Sequence, residues 1–171
     1  MINKQDLLAY LHQIDRQLKK KVTLVAVGGT AMTLYGLKEA TKDVDFCAAN
    51  KDDFALISSI DKKIGGKFRL DLFSNGHIYI LQLPTDYAAK SRQAKEMFKN
   101  LTVRLLSPID IILTKTSRLN ERDLEDIRML VSKNRIDKNR LIERYELVKE
   151  TYAGSDAAFQ DRFEQVIKEF F

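Results

Sequence analysis

Two short apolar runs near the N-terminus limit the folds open to this sequence more than any other segment. The first, 22–27 (VTLVAV), is β-branched and too short for a helix, so it predicts a buried strand. Gly28 and Gly29 end it, and TAMTLYGL then predicts a short helix that Gly36 closes. The second run, 43–49 (DVDFCAA), predicts another strand. A strand–helix–strand unit of this kind indicates a class that mixes helices with a sheet.

The rest of the chain continues this alternation and then becomes helical. Further strands are predicted at 67–73, 78–83 and 102–106, with an Asn-Gly hairpin turn between the first two. Further helices are predicted at 3–20, 52–64, from Pro84 to about Phe98, and at 107–119, 121–133, 137–152 and 156–171. We therefore expect an α/β (α+β) fold, with a small mixed sheet over residues 1–106 and a C-terminal helical bundle over residues 107–171.

Composition excludes several classes of protein. The chain has 171 residues, of which 44% are hydrophobic and 31% charged, as in an ordinary soluble domain. No apolar run approaches the roughly 18 residues of a membrane span, and the charged N-terminus does not resemble a signal peptide. We expect a cytoplasmic protein without a membrane partner. One cysteine, Cys47, and two separated histidines argue against a disulfide or a structural zinc site.

The net charge is +5, and the excess is concentrated in one block. Between residues 90 and 104 a single acid, Glu96, faces five basic residues: Lys90, Arg92, Lys95, Lys99 and Arg104. This block is the best candidate for contact with a phosphate backbone. A solvated helix face would have the same composition.

The glycine pair and the acids near it suggest a phosphate site. Gly28 and Gly29 would let backbone N–H groups approach a triphosphate, and Thr30 adds a hydroxyl, although a turn that only packs remains the alternative. Asp43 and Asp45 alternate on a strand, so both leave the same face and repel unless a cation lies between them. Mg²⁺ would suit this position, although two solvent-facing carboxylates would show the same pattern.

A third acid, Asp71, lies in the predicted strand 67–73 (KFRLDLF). If this strand is next to the strand of Asp43 and Asp45, three carboxylates meet beside the glycine turn. Two-metal phosphoryl transfer uses this arrangement.

Two motifs carry a family resemblance. GGTAMTLYGLKEATKDVDF resembles the first motif of the nucleotidyltransferase superfamily that includes DNA polymerase beta: a strand, Gly-Gly or Gly-Ser, a short helix and Asp-x-Asp. LSPIDIILTKTSRLNERDLEDIRML resembles a later motif of prokaryotic minimal nucleotidyltransferases, the AbiEii-type toxins among them: a lysine on a helix followed by Arg-Asp-x-x-Asp. The resemblance runs from about Val22 to Leu130 and implies a small nucleotidyltransferase core.

The resemblance implies roles for ten residues. Its catalytic residues would be Asp43, Asp45, Asp71 and Lys115, of which the three aspartates would bind Mg²⁺ or Mn²⁺. Its nucleotide-binding residues would be Gly28, Gly29, Thr30, Lys42, Asp123 and Asp126. Whether Asp71, or instead Lys115 with Asp126, completes the site stays open. Lys115, Asp123 and Asp126 could also belong to a salt-bridged helix surface.

The activity implied is transfer of a nucleoside monophosphate from an NTP to a hydroxyl, on an RNA 3′ end such as that of tRNA or on a protein side chain. A toxin with an antitoxin partner is one biological setting. The alternative is a degenerate transferase that binds nucleotide, RNA or protein without turnover, with one carboxylate too far from the others to share a metal. An apolar stripe near the C-terminus, typical of core or of a subunit contact, makes a homodimer a candidate assembly.

Overall fold

Helices and strands alternate along the chain in the structure, a computed structural model that describes residues 1–171. The strands are β1 (Ile2–Asn3), β2 (Val22–Ala26), β3 (Ala40–Thr41), β4 (Val44–Ala48), β5 (Leu70–Ser74), β6 (His77–Ile78), β7 (Leu81–Gln82), β8 (Arg92–Gln93) and β9 (Leu101–Leu105). The helices are α1 (Lys4–Gln17), α2 (Gly28–Tyr35), α3 (Lys51–Lys63), α4 (Tyr87–Lys90), α5 (Pro108–Thr116), α6 (Glu121–Lys133), α7 (Lys138–Val148) and α8 (Asp156–Phe170). A 3₁₀ turn, Lys149–Thr151, follows α7.

Seven of the strands form one mixed sheet in the order β7-β6-β5-β4-β2-β9-β8. Strand β4 lies in the middle, antiparallel to β2 and parallel to β5, while β2 is parallel to β9. β1 and β3 form a separate antiparallel pair. The predicted α/β class with a small mixed sheet is confirmed, and the four helices predicted after residue 106 are all present.

One hydrophobic core runs through the sheet and the C-terminal helices. It includes Leu24 and Phe46 from the sheet, together with Leu113 of α5 and Phe159 of α8. Helix α5 packs against α2 on one side and against α6, α7 and α8 on the other, so it joins the two regions. The division of the chain at residue 106 stays a prediction.

A buried ion pair also joins the C-terminal helices to one another. Arg144 of α7 donates through Nε and Nη2 to the two carboxylate oxygens of Asp110 on α5, at 2.7 and 3.0 Å. Its Nη1 donates to Asp86, before α4, at 2.6 Å. The Ser107 hydroxyl accepts from the Asp110 N–H and so caps the start of α5.

The helix predicted from Pro84 to Phe98 is wrong. Only one turn, α4, forms, and the chain then extends into β8, which pairs with β9 and forms the edge of the sheet. The side chain of Arg104 donates to the carbonyls of Ala88, Ala89 and Ser91, carbonyls that a continuing helix would need for itself. Tertiary pairing therefore outweighs the helical pattern of this segment.

The strand predicted at 78–83 is interrupted. The Asn-Gly turn forms as predicted, with positive φ at Asn75 and Gly76 between β5 and β6. Tyr79, however, also has a positive φ of 54°, which reverses the chain after β6 and starts the short strand β7. A bulky residue rarely adopts this conformation, and no pattern in the sequence predicted it.

Candidate active site

Two carboxylates lie side by side in the centre of the sheet. Asp45 on β4 is the direct register partner of Asp71 on β5, and the two strands are parallel. The side chains of register partners therefore leave the same face on strands that lie about 4.8 Å apart. The adjacency of these strands, on which the three-acid hypothesis depended, is present.

Asp43 comes immediately before β4 rather than within it. Thr30 on α2 fixes this segment, because its hydroxyl accepts from the Asp45 N–H at 2.8 Å and donates to the Asp43 carbonyl at 3.2 Å. Thr30 is fully buried, and its hydroxyl holds the two aspartates in place from behind.

The environment of Asp45 opposes its ionisation. The residue is only 6% exposed, and this burial, followed by the charges of Asp71 and Asp43, raises the pKa of Asp45 to about 7. The cations Arg118 and Lys115 act in the opposite direction but do not cancel the effect. Near neutral pH a proton or a cation bound at Asp45 therefore stabilises the site.

The glycine turn packs directly against this carboxylate. A Cβ at Gly28, whose φ is +51°, would lie 3.2 Å from the Tyr79 hydroxyl and 3.3 Å from Oδ2 of Asp45. A Cβ at Gly29 would lie 2.5 Å from Oγ1 of Thr41. The turn thus needs glycine in order to approach Asp45, and both glycines belong to the first turn of α2.

Basic residues approach from α5, from its C-terminal loop and from the loop after α2. Lys115 is buried, with Nζ 2.6 Å from Asp126 Oδ2 and 3.3 Å from Asp123 Oδ1, both on α6. Lys38 pairs with the other oxygen of Asp126 at 2.9 Å, and Arg118 pairs with Asp123 at 3.1 Å. Lys115 and both aspartates are buried, so these groups form an ion-pair network in the interior rather than a solvated helix surface.

The acids and the cations share one cleft of about 640 Å³, a size typical of ligand sites. Eight of the ten predicted residues line it: Gly29, Lys42, Asp43, Asp45, Asp71, Lys115, Asp123 and Asp126. Gly28 and Thr30 are buried behind the wall of the cleft. Six carboxylates and six cationic side chains line the cleft, so it suits a ligand that carries both phosphates and metal ions.

Several lining residues were not predicted from the sequence: Lys38, Arg69, Tyr79, Arg118 and Arg122. For two of them the spacing in the sequence could have indicated a place in the site. Arg69 lies two residues before Asp71 in a strand, and Arg118 lies about one helical turn after Lys115. Tyr79 had no such signal, since its position depends on its positive φ and on the Arg118 guanidinium 4.0 Å from its ring centre.

The fit of a metal ion is limited to a partial site. No group of three or more His, Cys, Asp or Glu side chains lies close enough to hold a metal ion, and Asp71 is paired with Arg69 at 3.0 Å. Mg²⁺ is commonly held by one or two carboxylates together with substrate phosphates. The hard oxygen donors and the unfavourable ionisation of Asp45 fit that mode of binding, so a metal would bind with the nucleotide rather than before it.

The basic block between residues 90 and 104 is only partly free for a partner. Arg104 is engaged with backbone carbonyls, and Lys90 pairs with Asp86 at 3.0 Å. Arg92, Lys95 and Lys99 are exposed.

The predicted C-terminal apolar stripe lies mainly in the core, where Phe159, Phe163 and Val166 are buried, while Ile167 and Phe170 are half-buried. None of the helices combines the length and the apolar character that crossing a membrane requires.

A mixed sheet with paired acids beside a glycine turn, facing a helix that carries a buried lysine, is the architecture of a nucleotidyltransferase fold. The family model described as "Nucleotidyltransferase of unknown function (DUF6036)" matches residues 5–170. The chain belongs to this family, and the predicted resemblance to the nucleotidyltransferase superfamily is confirmed.

A solved structure shows the same fold. The chain is similar to an antigenic nucleotidyltransferase-like protein from Paracoccidioides brasiliensis, with a TM-score of 0.50 and 12% identity over 98% of this chain and 94% of that chain. At this identity the likeness concerns the fold alone. No curated protein matches the sequence.

Proposed function

We propose that this protein transfers a nucleoside monophosphate from an NTP to a hydroxyl group in the cleft around Asp45. The observation that carries the proposal is the pairing of Asp45 with Asp71 on parallel strands, with Asp43 beside them and the glycine turn packed against Asp45. Membership of a nucleotidyltransferase family supports the reaction class.

Different side chains of the cleft have different roles in this reaction. The acceptor oxygen bonds to the α-phosphorus, the bond from that phosphorus to the bridging oxygen of the pyrophosphate breaks, and pyrophosphate leaves. Asp71, half-buried and at the edge of the cleft, accepts the proton of the attacking hydroxyl. Asp43 and Asp45, with Asp71, would hold Mg²⁺ or Mn²⁺, which neutralises charge that develops on the phosphates. Gly29 and Lys42 line the side of the cleft where the phosphates would lie.

The acceptor is an RNA 3′ end, with tRNA as a candidate, or a protein side chain. Exposed Arg92, Lys95 and Lys99 provide positive charge for an RNA acceptor. A toxin role with an antitoxin partner, a cytoplasmic location and a homodimer belong to the same proposal.

A second candidate is a binding module that keeps the fold and binds nucleotide, RNA or a protein without turnover. One observation favours it: no three acidic side chains are grouped closely enough to hold a metal, and Arg69 already pairs with Asp71. Under this alternative the protein binds nucleotide but transfers nothing.

Incubation with each α-labelled NTP, Mg²⁺ or Mn²⁺, and total RNA or total protein distinguishes the two. We expect label on one acceptor with the wild type and none with the double variant Asp43→Asn, Asp45→Asn. Asp161→Asn, an exposed residue of α8 outside the cleft, is the matched control and should keep full transfer. Nucleotide binding without transfer under either cation would support the binding module instead.

The toxin role has its own test. Induced expression of the wild type should arrest growth of a bacterial host, whereas expression of the double variant at equal level should not. Equal growth with both proteins would remove the toxin role and leave the transfer reaction untouched.

A further inference from the structure

Arg118 is held in place, but part of its guanidinium group is still available to a ligand. Its guanidinium carbon lies 4.0 Å from the centre of the Tyr79 ring, and Nη2 donates to Asp123 at 3.1 Å. Asp123 is the one carboxylate paired with this guanidinium, and 35% of the side chain is exposed in the cleft. A guanidinium stacked on an aromatic ring presents its edge, the part that binds two phosphate oxygens at once.

Lys115 is in the opposite situation. Its side chain is 5% exposed, and Nζ is already within 3.3 Å of two carboxylates, Asp123 and Asp126. A phosphate that approached this ammonium group would meet the negative charge of Asp126 and would have to break a buried ion pair, which is costly. Lys115 is therefore neutralised within the protein.

We propose that Arg118, presented by the ring of Tyr79, is the residue that binds the phosphates of the nucleotide, whereas Lys115 joins α5 to α6 beneath it. This inference rests on the proposed function, because it assigns a phosphate subsite within the same cleft. It differs from the role of Lys115 that the motif resemblance implied.

The connection between α7 and α8 fixes both partners of the Tyr79–Arg118 pair. On one side, Ala153 N–H donates to the carbonyl of Ile80, next to Tyr79, at 3.0 Å. On the other side, the carbonyl of Ser117, next to Arg118, accepts from the Tyr152 hydroxyl at 3.2 Å and from Arg162 at 2.7 Å.

The backbone at both places is in an unfavourable conformation. Tyr79 has a φ of 54° and Leu119, directly after Arg118, a φ of 48°. Conformations of this kind persist where the surrounding structure holds them, and they occur often at ligand sites. Arg162 of α8, which also donates to the Tyr152 hydroxyl at 2.9 Å, is therefore a positioning residue for Arg118.

Calorimetric titration with Mg²⁺ and inorganic tripolyphosphate, and separately with each NTP, tests the subsite without requiring turnover. Arg118→Gln should weaken the affinity for tripolyphosphate about 10- to 100-fold, since a charge-assisted contact is lost. Arg118→Lys should recover only part, because it keeps the charge but loses the planar fork.

Arg128→Gln is the matched control. Arg128 also pairs with one carboxylate, Glu169 at 2.7 Å, and lies over an aromatic ring, Phe170, but outside the cleft. This variant should bind tripolyphosphate like the wild type. Equal binding by Arg118→Gln and wild type would overturn the inference, whereas a wild type that binds none of the probes would overturn the proposed function itself.

Two further variants separate contact from support. Lys115→Met should lower the melting temperature because Asp126 and Asp123 each lose the buried one of their two cationic partners, while the protein that remains folded keeps its affinity for tripolyphosphate. Arg162→Met should weaken that affinity about 3- to 10-fold through Arg118, and should add nothing in the Arg118→Gln background. Loss of binding in Lys115→Met with retention in Arg118→Gln would reverse the assignment.

Discussion

At the scale of single residues, Asp45 combines the most constraints. Its N–H is bound by Thr30, its carboxylate touches the space that only glycine leaves open at position 28, and Asp71 lies beside it on the next strand. Burial together with two neighbouring carboxylates raises its pKa to about 7. A residue in this position destabilises the fold when ionised and binds a cation readily for the same reason.

Replacement of Asp45 by Asn should change the pH dependence of stability. The folded pKa near 7 lies above the unfolded value of about 3.9, so the stability contributed by the proton is complete below pH 4 and is lost as the pH rises to 7. In a chelator, Asp45→Asn should therefore gain stability over the wild type by on the order of 2–4 kcal/mol between pH 4 and pH 8. Urea unfolding at several pH values measures this, and a constant difference would contradict it.

The same variant should also lose its response to metal. With an NTP present, Mg²⁺ should raise the melting temperature of the wild type, because a ligand that binds only the folded state stabilises it. Asp45→Asn should show a much smaller shift, while Asp161→Asn should respond like the wild type. A wild type indifferent to Mg²⁺ in the presence of every NTP would count against metal binding at this site.

Two glycines provide a controlled comparison of strain and contact. Gly28 and Gly36 both have a positive φ, but a Cβ would meet Asp45 and Tyr79 at position 28 and nothing within 4 Å at position 36. We expect Gly36→Ala to cost about 1 kcal/mol in free energy of unfolding and Gly28→Ala to cost about 1–3 kcal/mol more. Denaturant melts of the two variants test the contact, and equal costs would show that only the backbone conformation matters.

At the scale of elements, α1 is joined to the sheet by one carboxylate. Asp15 near the end of α1 accepts from the backbone N–H groups of Asn100 at 2.7 Å, Leu101 at 2.8 Å and Lys99 at 3.0 Å. Burial of Asp15 acts to raise its pKa, but these hydrogen bonds, with a smaller contribution from His12, outweigh it and lower the pKa. The carboxylate thereby organises the start of β9.

Asp15→Asn should destabilise the protein in a pH-dependent way. Because the folded pKa of Asp15 is depressed, its contribution is complete above the unfolded value of about 3.9 and is lost as the pH falls through the folded pKa. We expect a loss of about 1–3 kcal/mol at pH 7 that narrows below pH 4. Urea unfolding beside the exposed control Asp161→Asn measures it, and a loss that persists at acid pH would point to packing instead.

At the scale of the whole molecule, the C-terminal helices share one core with the sheet, and a buried ion pair joins α5 to α7 within it. Asp110 is fully buried and relies on Arg144 for its charge balance, so Arg144→Met should cost about 3–5 kcal/mol. Adding Asp110→Leu should restore part of this loss by removing the unpaired charge. Arg140→Met, an exposed residue on the same helix, should be close to neutral. Unfolding by urea, followed by circular dichroism, compares the four proteins.

Local patterns were sufficient for much of the fold and for most of the candidate site. Short apolar runs located β2, β4 and β9, alternation located β5, and helical periodicity located α1, α3 and α5 to α8. Strand alternation also predicted that Asp43 and Asp45 leave one face, with Asp71 beside them if the two strands are neighbours, and eight of the ten predicted residues line one cleft. These features follow from periods of two or about 3.6 residues, which the order of residues determines directly.

Tertiary structure decided what has no local period. The segment after Pro84 has a helical pattern, but Arg104 binds its carbonyls and β9 offers an edge, so it extends. Tyr79 reverses the chain with a positive φ because Arg118 and the α7–α8 connection hold it. Which cation is free for a phosphate was likewise decided by distant partners: Asp126 neutralises Lys115, while Tyr79 leaves the edge of Arg118 open. The residue types and their spacing come from the sequence, whereas the partners that occupy or expose each charge come only from the packed fold.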